Sequence, residues 1–273
     1  MMNSEKISSF VKINHQNIEG WFFPMDWITF ITVTNIHRHL RVSGDICEVG
    51  VWQGKSLVLL SLLKSKGETV FGLDLFTGDL KALTEKNLAQ YGDPSGVQLC
   101  EVDANQFGFV QLRSLIDKPL RFLHIDAGHE YHEVLYQLKL YTPFLGDDAV
   151  IAMDDTEDRE FPGVSAAVHD FCDSQVGRRF LPFCVAANKK YYCLEHNIEK
   201  FQTYFLESGS FQNCRLTRLK HNSLLILNSK LPVEKSILIE QLKSERFPYM
   251  NTLALSDEDK AKQYAQRKFG SGL

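Results

Sequence analysis

The chain has 273 residues, 44% of them hydrophobic and 23% charged, with a net charge of −4. That is enough for one α/β domain with a sizeable core and some additions, and the charge leaves no basic stripe for nucleic acid. Six cysteines without C-x-x-C spacing argue against a zinc site or a disulfide scaffold and suit a reducing cytoplasm. The polar N-terminus lacks the apolar core of a signal peptide. No stretch is long and apolar enough to span a bilayer. A soluble, cytoplasmic protein with no membrane partner is expected.

Residues 1–25 read as a polar lead-in ending at Trp21-Phe22-Phe23-Pro24, a cluster that suits a cover for a site, a subunit contact or simple core filling. Asp26 would cap a helix over Trp27–Leu40, although Ile28–Thr34 is rich in β-branched residues. A first core strand is predicted at Ile46–Gly50, a helix at Ser56–Lys66 and a second strand at Thr69–Phe76. Glu85–Tyr91 reads as helix, Val97–Val102 as strand, Phe107–Ile116 as helix and Leu120–Asp126 as strand. Tyr131–Leu145 follows as an amphipathic helix, Gly146-Asp147-Asp148 as a turn and Ala149–Met153 as a fifth strand. A helix after Pro162-Gly163, a hairpin of Arg179–Ala186 with Lys190–Glu195, a helix over Ile198–Leu206 and a strand at Leu224–Leu227 complete the core. Ser256-Asp257-Glu258-Asp259 could start a charged terminal helix. Strands alternating with helices predict a doubly wound, mostly parallel sheet with helices on both faces.

The organising stretch is Asp45–Ser56, with its Glu48-x-Gly50-x-x-x-Gly54 pattern between a strand and a helix. Glycines permit a sharp turn and close backbone approach to a ligand, and the helix start aims N–H groups into the same crevice. The spacing meets neither the dinucleotide fingerprint nor the phosphate loop, although Gly54-Lys55-Ser56 imitates the end of the latter. An ordinary strand-to-helix turn is the plain alternative. Asp74 ends the second strand about twenty residues on, where an acid reaches ribose hydroxyls in doubly wound folds; a solvated strand-end acid is the alternative there.

In such sheets ligands bind beyond the carboxyl ends of the strands. Glu48, Gly50, Asp74, Asp103, Asp126, His129, Asp154 and Asp155 are predicted there, and most are acidic. Unpaired carboxylates crowded together repel one another, so a cation would relieve them. Asp126 with Asp154-Asp155 offers hard oxygen ligands suited to Mg²⁺, with Mn²⁺ or Ca²⁺ as alternatives. His129, three residues beyond Asp126, could take a proton from a substrate hydroxyl. A helix-entry histidine bonded to backbone is its plain alternative, and His124 and His132 read as structural. Glu157, Asp158 and Glu160 read as a solvated loop.

At this point the chain resembles class I S-adenosylmethionine-dependent methyltransferases, and among them the macrocin-type sugar O-methyltransferases. The resemblance is carried by Gly20-Trp21-Phe22, Gly44–Ser56, Gly72-Leu73-Asp74-Leu75-Phe76 and Phe122–Leu138 with its Ile-Asp-x-Gly-His core. Met153-Asp154-Asp155, Pro162-Gly163-Val164 and Asn188-Lys189-Lys190-Tyr191-Tyr192 extend it, over roughly residues 18–195 in the family's order. Ala127 stands where the family often has glycine, a minor change, and residues beyond about 196 carry no match.

The resemblance implies a seven-stranded sheet with an antiparallel last strand. S-adenosylmethionine would lie at Glu48–Gly54, with Asp74 on the ribose and Asp103 near the adenine. The implied cofactor-binding set is Glu48, Gly50, Gly54, Ser56, Asp74, Asp103 and Asp126. Asp126, Asp154 and Asp155 would sit at the divalent cation, with His129 as base. The implied acceptor is a hydroxylated small molecule, such as a sugar, with self-association into a homo-oligomer left open. The implied layout is an N-terminal lead over 1–43, the cofactor-binding methyltransferase domain over 44–228 and an extension over 229–273. A non-catalytic cofactor-binding protein acting through a partner is the rival reading. A nicotinamide-dependent oxidoreductase is weaker, because the third fingerprint glycine is missing.

Overall fold

The computed structural model describes residues 4–211, 213–220 and 222–228. Helices α1 (Ser4–Lys12) and α2 (Pro24–His39) precede strand β1 (Asp45–Val49) and helix α3 (Lys55–Leu63). Strand β2 (Val70–Asp74), helix α4 (Leu80–Tyr91), strand β3 (Val97–Glu101) and helix α5 (Phe109–Leu115) follow. Then come β4 (Leu120–Ile125), α6 (Tyr131–Tyr141), β5 (Leu145–Met153) and α7 (Pro162–Asp173). The hairpin β6 (Phe180–Ala186) and β7 (Lys189–Leu194), helix α8 (Ile198–Glu207) and the hairpin β8 (Asn213–Leu219) and β9 (Asn222–Asn228) close the described chain.

Among the described residues, nine strands join one sheet, ordered β3-β2-β1-β4-β5-β7-β6-β9-β8. The pairings among β1 to β5 are parallel. β7 runs antiparallel to both β5 and β6, β9 pairs parallel with β6, and β8 pairs antiparallel with β9. The sheet is therefore mixed and has nine strands, which corrects the expected seven. The two added strands have a plain origin: β8 and β9 form a hairpin that extends the edge at β6 through Cys184–Ala186. The predicted Leu224–Leu227 is part of β9, whereas β8, for which no strand is predicted, carries charged residues at every third position of its Cys214–Leu219 run.

Strand side chains alternate between two cores, as the period of two requires. Ile46, Val70, Phe122 and Val150 face a core shared with α1, α2, α3 and α8. Cys47, Val49, Phe71, Leu123 and Met153 face the other, covered by α5, α6 and α7. The lead-in contains α1, whose Ile7, Phe10 and Val11 are buried in the first core. Helix α2 is enclosed along Asp26–His37 and stays helical despite its β-branched residues. Thr29 and Thr32 donate to the carbonyls four residues back, at 2.6 and 2.9 Å, which satisfies their hydroxyls without solvent. Asp26 is not the cap: Pro24 opens the helix, and the Asp26 carboxylate reaches back to accept the Phe23 N–H at 2.7 Å. Helix α6 ends at Tyr141, and the polar Gly146-Asp147-Asp148, predicted as a turn, lies inside β5. The extension over 229–273, with its predicted terminal helix, lies outside the described residues. Among those described, no helix is long and apolar enough to cross a membrane.

Candidate active site

The strand order reverses around β1: β2 lies on one side and β4 on the other. Such a switch point leaves a crevice beyond the carboxyl ends of the strands. A cleft of about 830 Å³ opens there, bounded by residues that follow β1, β2, β3, β4 and β5. Gly50, Ser56, Asp74, Asp103, Asp126, His129, Asp154 and Asp155 all line it. Glu48 and Gly54 do not line it. Glu48 is fully buried, with Oε1 2.7 Å from His124 Nδ1, and the Phe30 ring packs edge-on against that imidazole. Gly54 takes the left-handed conformation (φ +81°) and opens α3, where a Cβ would press on Thr84 Cγ2 at 2.9 Å.

Gly50 also has a positive φ, +88°, and a Cβ there would fall onto the backbone carbonyl of Asp126. Both glycines thus allow close approach between chain segments, and Gly50 also borders the cleft. No side chain caps α3. Asp74 braces the turn: Oδ2 accepts the N–H groups of Val51 and Trp52 at 2.7 and 3.0 Å, and Oδ1 that of Phe76 at 2.7 Å. A carboxylate has about four acceptor sites, so one remains for a ligand hydroxyl. Asp103 accepts the Asn105 N–H at 2.9 Å and the Gln106 amide at 2.7 Å.

The opposite wall is ionic and layered. His129 Nε2 lies 2.8 Å from Asp155 Oδ2, and its ring stacks on Phe161 with centroids 4.1 Å apart. Asp155 takes a left-handed φ of +56°, and Asn188 donates to its Oδ1 at 2.8 Å. The hydrogen bond to Asp155 raises the His129 pKa, against a smaller opposing effect of burial. Asp126 is held well above the usual carboxylate range, first by burial and then by repulsion from Asp154. Burial also acts to raise Asp154, but the charges of Lys189 and then His124 outweigh it and hold that acid low. His124 is raised to about 9: burial lowers it, and Asp154 and Glu48 more than reverse that.

Two groups of ligand atoms lie within 4.8 Å of one another: His124, Asp126 and Asp154 in the interior, and Asp126, His129 and Asp155 toward the cleft. The second set faces open volume and offers carboxylate oxygens with one imidazole, which fits a divalent cation of the Mg²⁺ or Mn²⁺ type. Sequence reading missed Lys189, although the hairpin register was its signal: with Met153 opposite Lys190, Asp154 comes opposite Lys189. It also missed the fastening of residues 19–23 over the cleft. Lys55 Nζ donates to the Gly20 carbonyl at 2.9 Å, and the Gln53 amide donates to Glu19 at 2.9 Å. That segment leaves Trp21 and Phe23 exposed at the rim, near exposed Trp52 and Leu75.

Residues 47–156 match the model of a family described as a methyltransferase domain. No curated protein matches the chain. Among solved structures, an O-methyltransferase from Bacillus cereus in complex with SAH aligns with a TM-score of 0.50 at 14% identity, over 69% of this chain and 89% of its own. CalS11, a TDP-rhamnose 3'-O-methyltransferase of calicheamicin biosynthesis, aligns with a TM-score of 0.49 at 16% identity, over 69% of this chain and 92% of its own. MycE, from mycinamycin biosynthesis and in complex with Mg, SAH and mycinamycin VI, gives 0.43 at 16% identity, over 58% of this chain and 47% of its own. At 14% identity the likeness to the Bacillus cereus protein is one of fold.

Proposed function

We propose that this chain, which carries a methyltransferase domain over residues 47–156, transfers the methyl group of S-adenosylmethionine to a hydroxyl of a small molecule such as a sugar. The observation that carries this reading is the two-sided cleft: a braced glycine turn and Asp74 on one wall, and Asp126, Asp155 and His129 on the other. The first wall would bind the cofactor. Backbone N–H groups of the Val51-Trp52 turn are occupied by Asp74, so recognition there falls to the free acceptor site of Asp74, the start of α3 and Asp103.

The second wall would hold the acceptor. The Asp155 carboxylate fixes the His129 ring through Nε2, leaving Nδ1 for the acceptor's hydroxyl proton. An imidazole paired with a carboxylate is stabilised in the protonated form it reaches after accepting that proton. Methyl transfer is an in-line displacement, so most of the rate gain would come from aligning acceptor oxygen and cofactor methyl. Asp126 and Asp155 would hold a divalent cation, which when bound lowers the pKa of a hydroxyl it touches.

Calorimetric titration with S-adenosylmethionine, with and without Mg²⁺, tests the first wall, and micromolar binding is expected. His129→Ala should keep that binding and lose about 10²–10⁴-fold in turnover on hydroxylated acceptors. Silence in both titrations would overturn the cofactor assignment. Binding with no turnover on any acceptor would favour the non-catalytic reading.

A further inference from the structure

The register of the β5–β7 pair sets a lysine against the acidic floor of the cleft. Lys189 is only 1% exposed and Asp154 only 4%. The ammonium donates to Asp154 Oδ2, and Asp154 Oδ1 accepts the Asp155 N–H at 2.8 Å. On its far side Asp154 Oδ2 lies 3.9 Å from His124 Nε2, a buried nitrogen with no hydrogen-bond partner of its own. Asp26, fully buried in the first turn of α2, adds a second acid that attracts the same lysine. Each oxygen of Asp154 therefore already serves the framework, one through a buried ammonium and the other through a backbone N–H. All three acids border the cleft, but Asp126 and Asp155 are half-buried where Asp154 is buried, and they come together with His129.

We infer that Lys189 is a positioning residue that reserves Asp154 for the framework, so that a divalent cation in this cleft is held by Asp126 and Asp155 and not by all three acids. The inference rests on the cation in the function proposed above. A carboxylate already neutralised by a buried ammonium adds little attraction for a metal, and a metal in contact with Asp154 would stand beside that like charge in a poorly screened interior. Lys189 has no route to water by which to leave. Asp154 in turn accepts the N–H of Asp155, whose backbone is left-handed, at 2.8 Å.

Mn²⁺ binding to the full chain, read by electron paramagnetic resonance in the presence of S-adenosylmethionine, tests this without recourse to activity. Asp126→Asn and Asp155→Asn should each weaken Mn²⁺ by about tenfold or more, and Asp154→Asn by less than about threefold, because the amide keeps the acceptor for Asp155 N–H. Lys189→Met should tighten Mn²⁺ by releasing Asp154 as a ligand, and adding Asp154→Asn should remove the gain. Circular dichroism checks that each variant is folded; should Lys189→Met not fold, the three Asp→Asn variants decide alone. Equal weakening by Asp154→Asn and Asp126→Asn would overturn the inference and leave the proposed function standing. No Mn²⁺ binding by the unaltered chain would instead remove the cation from that function, and this assignment with it.

Discussion

Two buried ionic networks lie at opposite ends of the same sheet, and they are built differently. At the amino ends of the strands, Arg121 Nε and Nη2 each donate to Glu68 at 2.8 Å, and Nη1 faces His37 Nδ1 at 3.4 Å. His37 Nε2 donates in turn to the Asp148 carbonyl at 2.9 Å, and Glu68 also accepts the Ser65 N–H at 2.7 Å. Donor meets acceptor at every step. At the carboxyl ends, Glu48, His124, Asp154 and Lys189 alternate in sign, but Glu48 Oε2, His124 Nε2 and Asp26 Oδ1 are buried without a hydrogen bond. A satisfied network holds a fold together, whereas unmet groups beside a cleft are sites where a ligand or a proton can still be taken up.

The sharpest way to break this contrast is at the closed end. Arg121→Met leaves the Glu68 carboxylate buried and without its cation, and removing one partner of a buried pair costs about 3–5 kcal/mol. Urea unfolding should show that loss, while S-adenosylmethionine affinity of the folded protein stays within about twofold, since Arg121 is remote from the cleft and distant sites are close to additive. A variant as stable as the parent would show that the network does not hold the fold.

A smaller effect separates the two ends by pH. Burial, and then the Arg121 charge, push His37 down to about 3. The unfolded chain therefore takes up a proton near pH 6.5 that folded His37 refuses, so its contribution is full above 6.5 and is lost as pH falls toward 3. His124 runs the other way: with a folded pKa of about 9, its contribution is full below 6.5 and is lost as pH rises through 9. Each slope is at most about 1.4 kcal/mol per pH unit. Stability differences between the parent and His37→Gln, and between the parent and His124→Gln, should therefore change on opposite sides of pH 6.5. Slopes on the same side would mean that the two imidazoles share one environment.

The sequence shows the closed end poorly and the open end well. Glu68 and Arg121 are far apart in the chain and belong to no motif, and only the β1–β4 and β2–β1 pairings bring their strand starts together. The cleft acids could be read because each follows an apolar strand, and strand ends share one edge of a parallel sheet. The turn's spacing points Glu48 and Gly54 toward a ligand, but neither lines the cleft: Glu48 meets His124, and Gly54 packs against Thr84. Helix α1 had its signal in Ile7, Phe10 and Val11, three and four residues apart, but the polar residues between them hide it. Lys189 was beyond reach without the hairpin register, since one residue of slip would have turned it to the other face.

The smallest effect has the most telling sign. Asp126 is burdened in this fold by its burial and by Asp154 beside it, both of which disfavour its charge. Asp126→Asn keeps the size of the side chain and removes the carboxylate repulsion, so the unfolding free energy should rise, by about 1 kcal/mol or less. Turnover should fall sharply in the same variant, because the acid the fold would rather lose is the one the cleft presents to its ligand. Gain of stability with loss of activity is what a residue kept for chemistry shows, and it is the reverse of the result expected at Arg121. Were Asp126→Asn instead to destabilise as Arg121→Met does, Asp126 would belong to a structural network after all, and the difference between the two ends of the sheet would lie only in how completely each is hydrogen-bonded.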